Sequence, residues 1–148
     1  MKEAVFWSLI ALFNWDETGD DEAVIEPVVN ALAKLSVEEI YSFEEVLARK
    51  LHALDTRSHA KEIGEDAYVS EEEYFSVDGF LYSRCVVVAN GEEFYNHILN
   101  NSKDFPKDME FEAILGIAQE AYEQKTGKEW EYASDADYET YSNTVGWR

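Results

Sequence analysis

The clearest helix signal in the sequence lies in SVEEIYSFEEVLARKLHAL, residues 36–54. Ser36 and Glu39 have the spacing of a capping box, in which a serine hydroxyl accepts the N3 amide hydrogen while the glutamate reaches back. Apolar residues then recur once per turn on a single helical face: Ile40, Phe43, Leu47, Leu51 and Leu54. The stretch therefore predicts a long amphipathic helix that begins after Ser36 and buries one face.

Similar apolar patterns on both sides of this stretch predict further helices. The expected helices cover residues 3–14, a segment that ends near Leu35, residues 59–63, residues 92–100 and residues from about 109 to 125. Pro27 leaves the start of the second helix open, because proline is comfortable only in a first turn. Gly127 is expected to stop the last helix, and residues 65–74 are expected to form an acidic loop.

The densest apolar run is FLYSRCVVVA, residues 80–89. Its three β-branched valines would suit a buried strand. A buried helix that begins near Ser76 is preferred, because the run exceeds the usual strand length and Asn90-Gly91 makes a good helix C-cap.

Together these elements predict a mainly α fold, a compact single-domain bundle of about six or seven helices that spans residues 1–148. A chain of 148 residues is about one domain, and its 14% aromatic content supplies the large side chains that a core needs. The tail after Lys128 is rich in aromatic residues: Trp130, Tyr132, Tyr138, Tyr141 and Trp147. Their large apolar faces favour an ordered tail that docks on the body.

The net charge is the most unusual property of the chain. Twelve Lys and Arg residues stand against 32 Asp and Glu residues, which gives a formal charge of −20. Such a field repels phosphate groups, so it argues against binding to nucleic acid or to an anionic membrane. The same field would speed the encounter with a basic protein, or it would serve only to keep the chain soluble and monomeric.

The carboxylates fall into two groups along the sequence, and both are candidate binding sites for a basic partner. The first group contributes Asp16, Glu17, Asp20, Asp21 and Glu22. The second group contributes Glu65, Asp66, Glu71, Glu72 and Glu73. Trp15, Tyr68 and Tyr74 lie close to these groups, and we expect them to be exposed anchors, since interfaces are enriched in Trp and Tyr.

Arg84 is the only Lys or Arg between Lys61 and Lys103, and it lies inside the apolar run. A buried guanidinium must be paired, and the candidate partners are Asp78, Asp55 and the carboxylates of the acidic loop. We interpret Arg84 as an internal strut between two helices. The alternative is an anion-binding residue at the mouth of a pocket, for which its forked donors would be suited.

The sequence contains no residue pattern that would carry catalysis, so we expect no enzyme, no cofactor and no metal site. The three histidines are too few and too badly spaced for most metal sites. The acidic segment 16–22 lacks the alternating oxygen ligands of a calcium loop. Phosphate-binding loops, nucleophile elbows and dinucleotide fingerprints do not occur.

Cysteine use and the N-terminus together indicate a cytoplasmic protein. Cys85 is the only cysteine, and its apolar neighbours predict a buried structural thiol in a reducing compartment. The apolar segment 4–13 is followed by no signal-peptide cleavage site. It is also shorter than the roughly 20 residues that a membrane-spanning helix needs.

Several stretches of the chain resemble a bacterial family catalogued as domain of unknown function 4240 (DUF4240). The stretches are Phe6-Trp7, Gly19-Asp20-Asp21-Glu22-Ala23, Leu47-Ala48 to Leu54-Asp55-Thr56-Arg57, residues 74–85 and residues 121–127. The resemblance implies a mainly helical domain. It implies no reaction, cofactor or catalytic residue that can be transferred to this chain.

Three functions remain open at the level of sequence. The favoured one is a binding module whose acidic face docks a basic protein, for example a cytosolic immunity protein that blocks a basic toxin. The second is a regulatory or scaffold domain whose acidity provides only solubility. The third and least favoured is an enzyme that uses carboxylates or Arg84 in a pocket.

Overall fold

The computed structural model describes all 148 residues, and it contains seven α-helices, three short 3-10 helices and no β-strand. The α-helices are α1 (Glu3–Ile10), α2 (Asp21–Ala33), α3 (Val37–Ala53), α4 (Arg57–Ala60), α5 (Val77–Ala89), α6 (Glu92–Asn100) and α7 (Ile117–Thr126). The 3-10 helices span Trp15–Glu17, Ser102–Asp104 and Glu112–Gly116. The predicted mainly helical fold of about six or seven helices is confirmed.

α3 begins where its capping box predicts. The Ser36 hydroxyl accepts a hydrogen bond from the Glu39 backbone N–H at 3.1 Å. Four residues of the apolar face of the helix are completely buried: Ile40, Phe43, Leu47 and Leu51. α3 contacts α1, α2, α5 and α7, so it lies at the centre of the bundle.

α5 is a helix rather than a strand, as the sequence favoured. Ser76 caps it by accepting a hydrogen bond from the Gly79 backbone N–H at 3.0 Å. Nine of its 13 residues are buried, and they point to all sides of the helix. A helix that is apolar all round belongs in the interior, which explains why the residues 80–89 show no amphipathic pattern.

The structure shows where the second helix, α2, begins, which the sequence left open because of Pro27. The helix starts at Asp21, because the Asp20 carboxylate accepts a hydrogen bond from the Ala23 backbone N–H at 3.2 Å. Pro27 therefore lies inside the helix and removes one internal hydrogen bond. The helix continues past it with buried residues on both sides, among them Ile25 and Val28.

The predicted helix at 109–125 is wrong in its first half. Asp108 has a left-handed φ of 56°, and the Phe111 backbone N–H donates to the carbonyl of Tyr82 in α5 at 3.0 Å. These non-local contacts hold the segment against α5, so α7 starts only at Ile117. Its end is as predicted, with Gly127 in the left-handed conformation at φ 69°.

The aromatic tail docks on the body, as predicted. Tyr132 stacks on Tyr41 of α3 with ring centres 4.4 Å apart and an interplanar angle of 10°. Trp147 is buried against Phe80 of α5, with ring centres 6.1 Å apart. The tail therefore completes one hydrophobic cluster of 35 buried residues that runs from Phe6 to Trp147.

We expect Ser36→Ala to lower the free energy of unfolding by about 1 kcal/mol, because the substitution removes the hydroxyl that caps α3. Ser42→Ala in the middle of the same helix is the matched control and should be neutral or slightly stabilising, since alanine is the better helix former. Urea unfolding followed by circular dichroism measures both. Equal losses for the two variants would show that the cap does not stabilise α3.

Candidate functional site

The structure brings part of each acidic group together with carboxylates from later in the chain. Asp21 and Glu22 of the first group line a hollow with Glu112 and Glu120. Glu65 and Asp66 of the second group line a neighbouring hollow with Asp108 and Glu110. Glu110 of one hollow and Glu112 of the other are both exposed, and only the buried Phe111 separates them along the chain. We call these two sets of four carboxylates the acidic face.

Gly64 allows the second set to assemble. It has φ +113°, and a Cβ added at this position would lie 2.2 Å from an Asp108 carboxylate oxygen. Only glycine permits both the conformation and this close approach. The Asp108 carboxylate then accepts a hydrogen bond from the Glu65 backbone N–H at 2.7 Å, which fixes the start of the loop beside the 108–112 segment.

The carboxylates of the acidic face have no cationic partners within the protein. The ion pairs of the structure are Arg49–Glu45, Lys50–Glu3, His97–Asp104 and Lys107–Glu62. None of them involves a residue of the acidic face. The charge of this face is therefore not neutralised by neighbouring side chains.

Glu120 lies beside the negative charge of Glu22 on the acidic face. Partial burial, the interaction with Glu22 and the charge of Glu123 raise the pKa of Glu120 to about 7. Burial and a neighbouring negative charge both disfavour the ionised form of a carboxyl group. A positive charge placed nearby would lower the pKa of Glu120 again.

The other predicted acidic residues do not line the two hollows of the acidic face, although Asp20 lines a further hollow with Glu22 and Glu120. Asp16, Glu17 and Asp20 are exposed on the turn that precedes α2. Glu71 and Glu73 line a different hollow, which Arg57 and Trp147 also line. Glu72 is exposed and lines neither hollow. The second acidic group of the sequence is thus divided between two sites.

The sequence analysis missed half of the acidic face: Asp108, Glu110, Glu112 and Glu120. The signal was present in the alternation DMEFE at 108–112. The sequence pattern predicts a loop as far as Asp108 and a helix from about Met109, and in a helix Glu110 and Glu112 would not share one face. In the structure the segment is not α-helical until Ile117, and the contact of Phe111 with α5 turns Glu110 and Glu112 to the surface.

Two of the three predicted aromatic anchors are exposed. Trp15 is 45% exposed and Tyr74 is 93% exposed. The prediction for Tyr68 is wrong, since only 8% of its surface is accessible. Its ring packs edge to face against Phe75 and Trp147, with ring centres 5.4 and 5.1 Å away.

Arg84 is fully buried, and its hydrogen bonds differ from those expected. Its Nη1 donates to the backbone carbonyls of Leu51 and Tyr138 at 2.9 Å each. Its Nη2 donates to the hydroxyl of Thr140 at 3.1 Å. None of the carboxylates considered as partners lies within ion-pair distance, so carbonyl dipoles replace the expected salt bridge.

Asp55 is the buried carboxylate whose charge acts most strongly on Arg84. Burial lowers the pKa of the Arg84 guanidinium, and the negative charge of Asp55 partly counteracts this. The Asp55 carboxylate accepts hydrogen bonds from the backbone N–H of Tyr141, the backbone N–H of Asn143 and the indole N–H of Trp147. Arg84 and Asp55 together hold the tail at residues 138–147.

Glu44 is a second buried carboxyl group under the tail. It lies in α3 and lines a hollow whose other walls include Trp130, Tyr132 and Tyr138. Burial raises the pKa of Glu44 to about 7, and the charge of Glu45 adds to the effect. Glu44 therefore changes its charge near neutral pH, whereas the ordinary pKa of a glutamate is about 4.3.

The groups of the structure do not define a metal centre. No set of three or more His, Cys, Asp or Glu side chains is arranged to hold a metal ion. His59 is buried, and its ring nitrogens contact the Thr56 hydroxyl and the Ile98 carbonyl at 2.6 and 2.8 Å. Cys85 is a buried free thiol.

The fold and its surface define a small all-helical domain with two hollows lined by carboxylates. A family model described as a protein of unknown function (DUF4240) matches residues 1–124. The chain therefore belongs to the DUF4240 family, which confirms the resemblance seen in its sequence. Neither the curated proteins nor the solved structures give a significant match to it. None of its helices combines the length and the apolar character that crossing a membrane requires.

We expect Arg84→Met to lower the free energy of unfolding by about 3–5 kcal/mol, because it leaves buried carbonyls and Asp55 without their positive partner. Arg49→Met is the control, since Arg49 is exposed and its pair with Glu45 is worth at most about 1 kcal/mol. Chemical denaturation of both variants measures the difference. Similar small losses would contradict a supporting role for Arg84.

We expect Glu44→Gln to stabilise the protein at pH 8 by about 1–3 kcal/mol, because the wild type must keep a charged carboxylate buried there. The folded pKa of about 7 lies above the unfolded value. The advantage of the variant therefore grows as the pH rises from about 4.5 to 7 and vanishes below about 4.5. Thermal unfolding between pH 4.5 and pH 8 tests this. Exposed Glu26→Gln should change stability by less than about 0.5 kcal/mol.

Proposed function

We propose that this protein is an interaction module that docks a basic protein on its acidic face. The concrete form is a toxin-neutralising immunity protein, which binds a basic toxin such as a nuclease where that toxin would bind nucleic acid. The observation that carries the proposal is the convergence of unpaired carboxylates from α2, the 65–66 loop, the 108–112 segment and α7.

The charge of the chain supports such a partner physically. A formal charge of −20 attracts a basic protein from a distance, and steering of this kind raises association rates by about 10–1000-fold at low salt. The face itself then supplies carboxylates as acceptors for the lysine and arginine side chains of the partner. A surface of carboxylates also presents the charge pattern that a nuclease recognises in a phosphate backbone.

Solubility alone does not account for this arrangement. Solubility requires net charge, but it does not require carboxylates to touch one another. The pKa of Glu120 is raised by its partial burial and by the neighbouring charge of Glu22, so this carboxyl group lies where its ionised form is disfavoured. Clustering at a cost to stability is typical of surfaces that are completed by a partner.

Exposed apolar side chains beside the acidic face support a docking role as well. The ring of Trp15 lies 5.4 Å from the ring of Phe111, the residue between Glu110 and Glu112. Met109 is exposed in the same segment. Tryptophan and methionine are enriched at protein interfaces, where they provide the apolar contact that carboxylates cannot.

The test compares two variants of equal net charge. The first neutralises the acidic face with Glu65→Gln, Asp66→Asn, Glu110→Gln and Glu112→Gln. The second neutralises four exposed glutamates elsewhere: Glu38, Glu92, Glu93 and Glu129. A basic partner is captured from the native host at low salt, identified and purified, and its affinity is measured at two salt concentrations.

We expect the acidic-face variant to bind the partner at least about tenfold more weakly, mainly through a slower association rate, because steering depends on local charge. The control variant should stay within about threefold of the wild type. Equal losses of affinity in both variants would show that only the net charge of the protein matters, and this would contradict docking on the acidic face. Failure to recover any basic protein at low salt would contradict the proposal.

A further inference from the structure

A hollow of about 400 Å³ lies where the C-terminal tail meets the body of the protein. Its aromatic lining consists of Tyr68, Phe75, Tyr141 and Trp147, and its charged lining consists of Arg57, Glu71 and Glu73. We call it the C-terminal hollow. It does not belong to the acidic face, and no residue of that face lines it.

The aromatic rings of the C-terminal hollow meet at steep angles. Trp147 lies 5.1 Å from Tyr68 at 77° and 4.6 Å from Tyr141 at 64°, and Tyr68 lies 5.4 Å from Phe75 at 90°. Rings at these angles pack edge to face. Trp147 and Tyr68 are themselves buried, and Tyr141 is the ring of this cluster that remains largely exposed. A tyrosine ring attracts cations, since its face carries negative charge density.

The fold holds two of these rings in place at a cost. Tyr141 has a left-handed φ of 79°, which is a rare conformation for a bulky residue. It is maintained because Asp55 accepts hydrogen bonds from the Tyr141 backbone N–H and the Trp147 indole N–H. In spite of this anchoring, Tyr141 is 45% exposed, and it is one of the residues that line the hollow.

The charged side chains favour a cationic ligand. Glu71 and Glu73 are exposed and take part in none of the ion pairs. Arg57 is turned to the wall, where its Nη2 donates to the Trp147 carbonyl at 2.6 Å and its guanidinium lies 6.0 Å from the Tyr68 ring centre. The chain thus already places a guanidinium against one of these rings, and two free carboxylates outnumber it.

The surroundings of the C-terminal hollow are those of an interface. Val69, Tyr74 and Val145 are among the most exposed apolar residues of the chain. Val69 follows the lining residue Tyr68, Tyr74 separates the lining residues Glu73 and Phe75, and Val145 lies two residues before Trp147. A pocket with aromatic walls and an apolar surround is the usual setting of an anchoring side chain.

We propose that the C-terminal hollow receives an arginine side chain of a basic protein. The guanidinium would lie against the exposed ring of Tyr141, beside Trp147, and pair with Glu71 and Glu73. Arginine fits better than lysine, because its planar group stacks on rings and makes bidentate contacts with carboxylates. The inference rests on the proposed function, and it adds an anchoring contact to the steering that the acidic face provides.

The test uses the full chain labelled with ¹⁵N and follows the Trp147 indole N–H signal by NMR. The probes are the blocked tripeptides Gly-Arg-Gly, Gly-citrulline-Gly and Gly-Glu-Gly. Citrulline has the shape of arginine without its charge. We expect the arginine peptide to shift the Trp147 and Tyr141 signals in a saturable way, with the citrulline peptide binding about fivefold or more weakly.

Two double variants of exposed residues test whether Glu71 and Glu73 contact the arginine peptide directly or contribute only through net charge. The double substitution Glu71→Gln with Glu73→Gln should lower the affinity for the arginine peptide by about fivefold or more, since both charged acceptors are lost. Glu92→Gln with Glu93→Gln carries the same net charge and should leave the affinity unchanged. Equal binding of arginine and citrulline, or equal loss in both variants, would overturn the proposal.

Other outcomes separate this inference from the proposed function. Preferential binding of the glutamate peptide would make Arg57 the recognition group and overturn the cationic assignment. If no peptide shifts the Trp147 signal while the acidic-face variant still loses affinity for the basic partner, the arginine site is contradicted and the proposed function is retained. Binding of the arginine peptide at Trp147, with partner affinity unaffected by the acidic-face variant, would leave only the hollow.

Discussion

Arg84 and Asp55 are buried without residual exposure, and between them they fasten the C-terminal tail to α3 and α5. Neither forms a direct ion pair. The two Nη atoms of Arg84 donate to a carbonyl of α3, to a carbonyl of the tail and to the Thr140 hydroxyl. Asp55 accepts three hydrogen bonds from the tail. A buried charge is tolerable only when such polar groups surround it. The tail, the C-terminal hollow and the burial of Trp147 therefore depend on two charges in the interior.

The same non-local character explains what the sequence does and does not predict. α3 and α5 follow from local signals: a serine cap, apolar periodicity and a run too long for a strand. The start of α7 does not follow, because the hydrogen bond between Phe111 and the Tyr82 carbonyl overrides the helical pattern of residues 109–116. The partners of Arg84 could not be predicted either, since they are backbone carbonyls and a hydroxyl that lie 33 to 56 residues away in sequence.

The candidate sites show the same division. Sequence composition identifies the acidic residues, but only the fold decides which of them meet. Glu65 and Glu71 belong to one group along the chain, yet they line different hollows. Glu22 and Glu120 are far apart in sequence, yet they line the same hollow, and the charge of Glu22 helps to raise the pKa of Glu120. Arg57 is an unremarkable helix residue in the sequence, and it becomes part of a hollow only because Trp147 returns to α4 from the end of the chain.

The acidic face and the C-terminal hollow are close enough for one partner to contact both. Asp66 lies on the first and Glu71 on the second, and five residues of chain span at most about 18 Å. A standard interface covers about 800 Å² on each partner, a patch about 30 Å across. The connecting loop is held to the body by a hydrogen bond from the Tyr68 N–H to the Ala60 carbonyl. The two sites are therefore no farther apart than the width of one standard interface, so the two proposed contacts are compatible with a single basic partner. In such a complex the acidic face would set the association rate, and the arginine contact would set the lifetime.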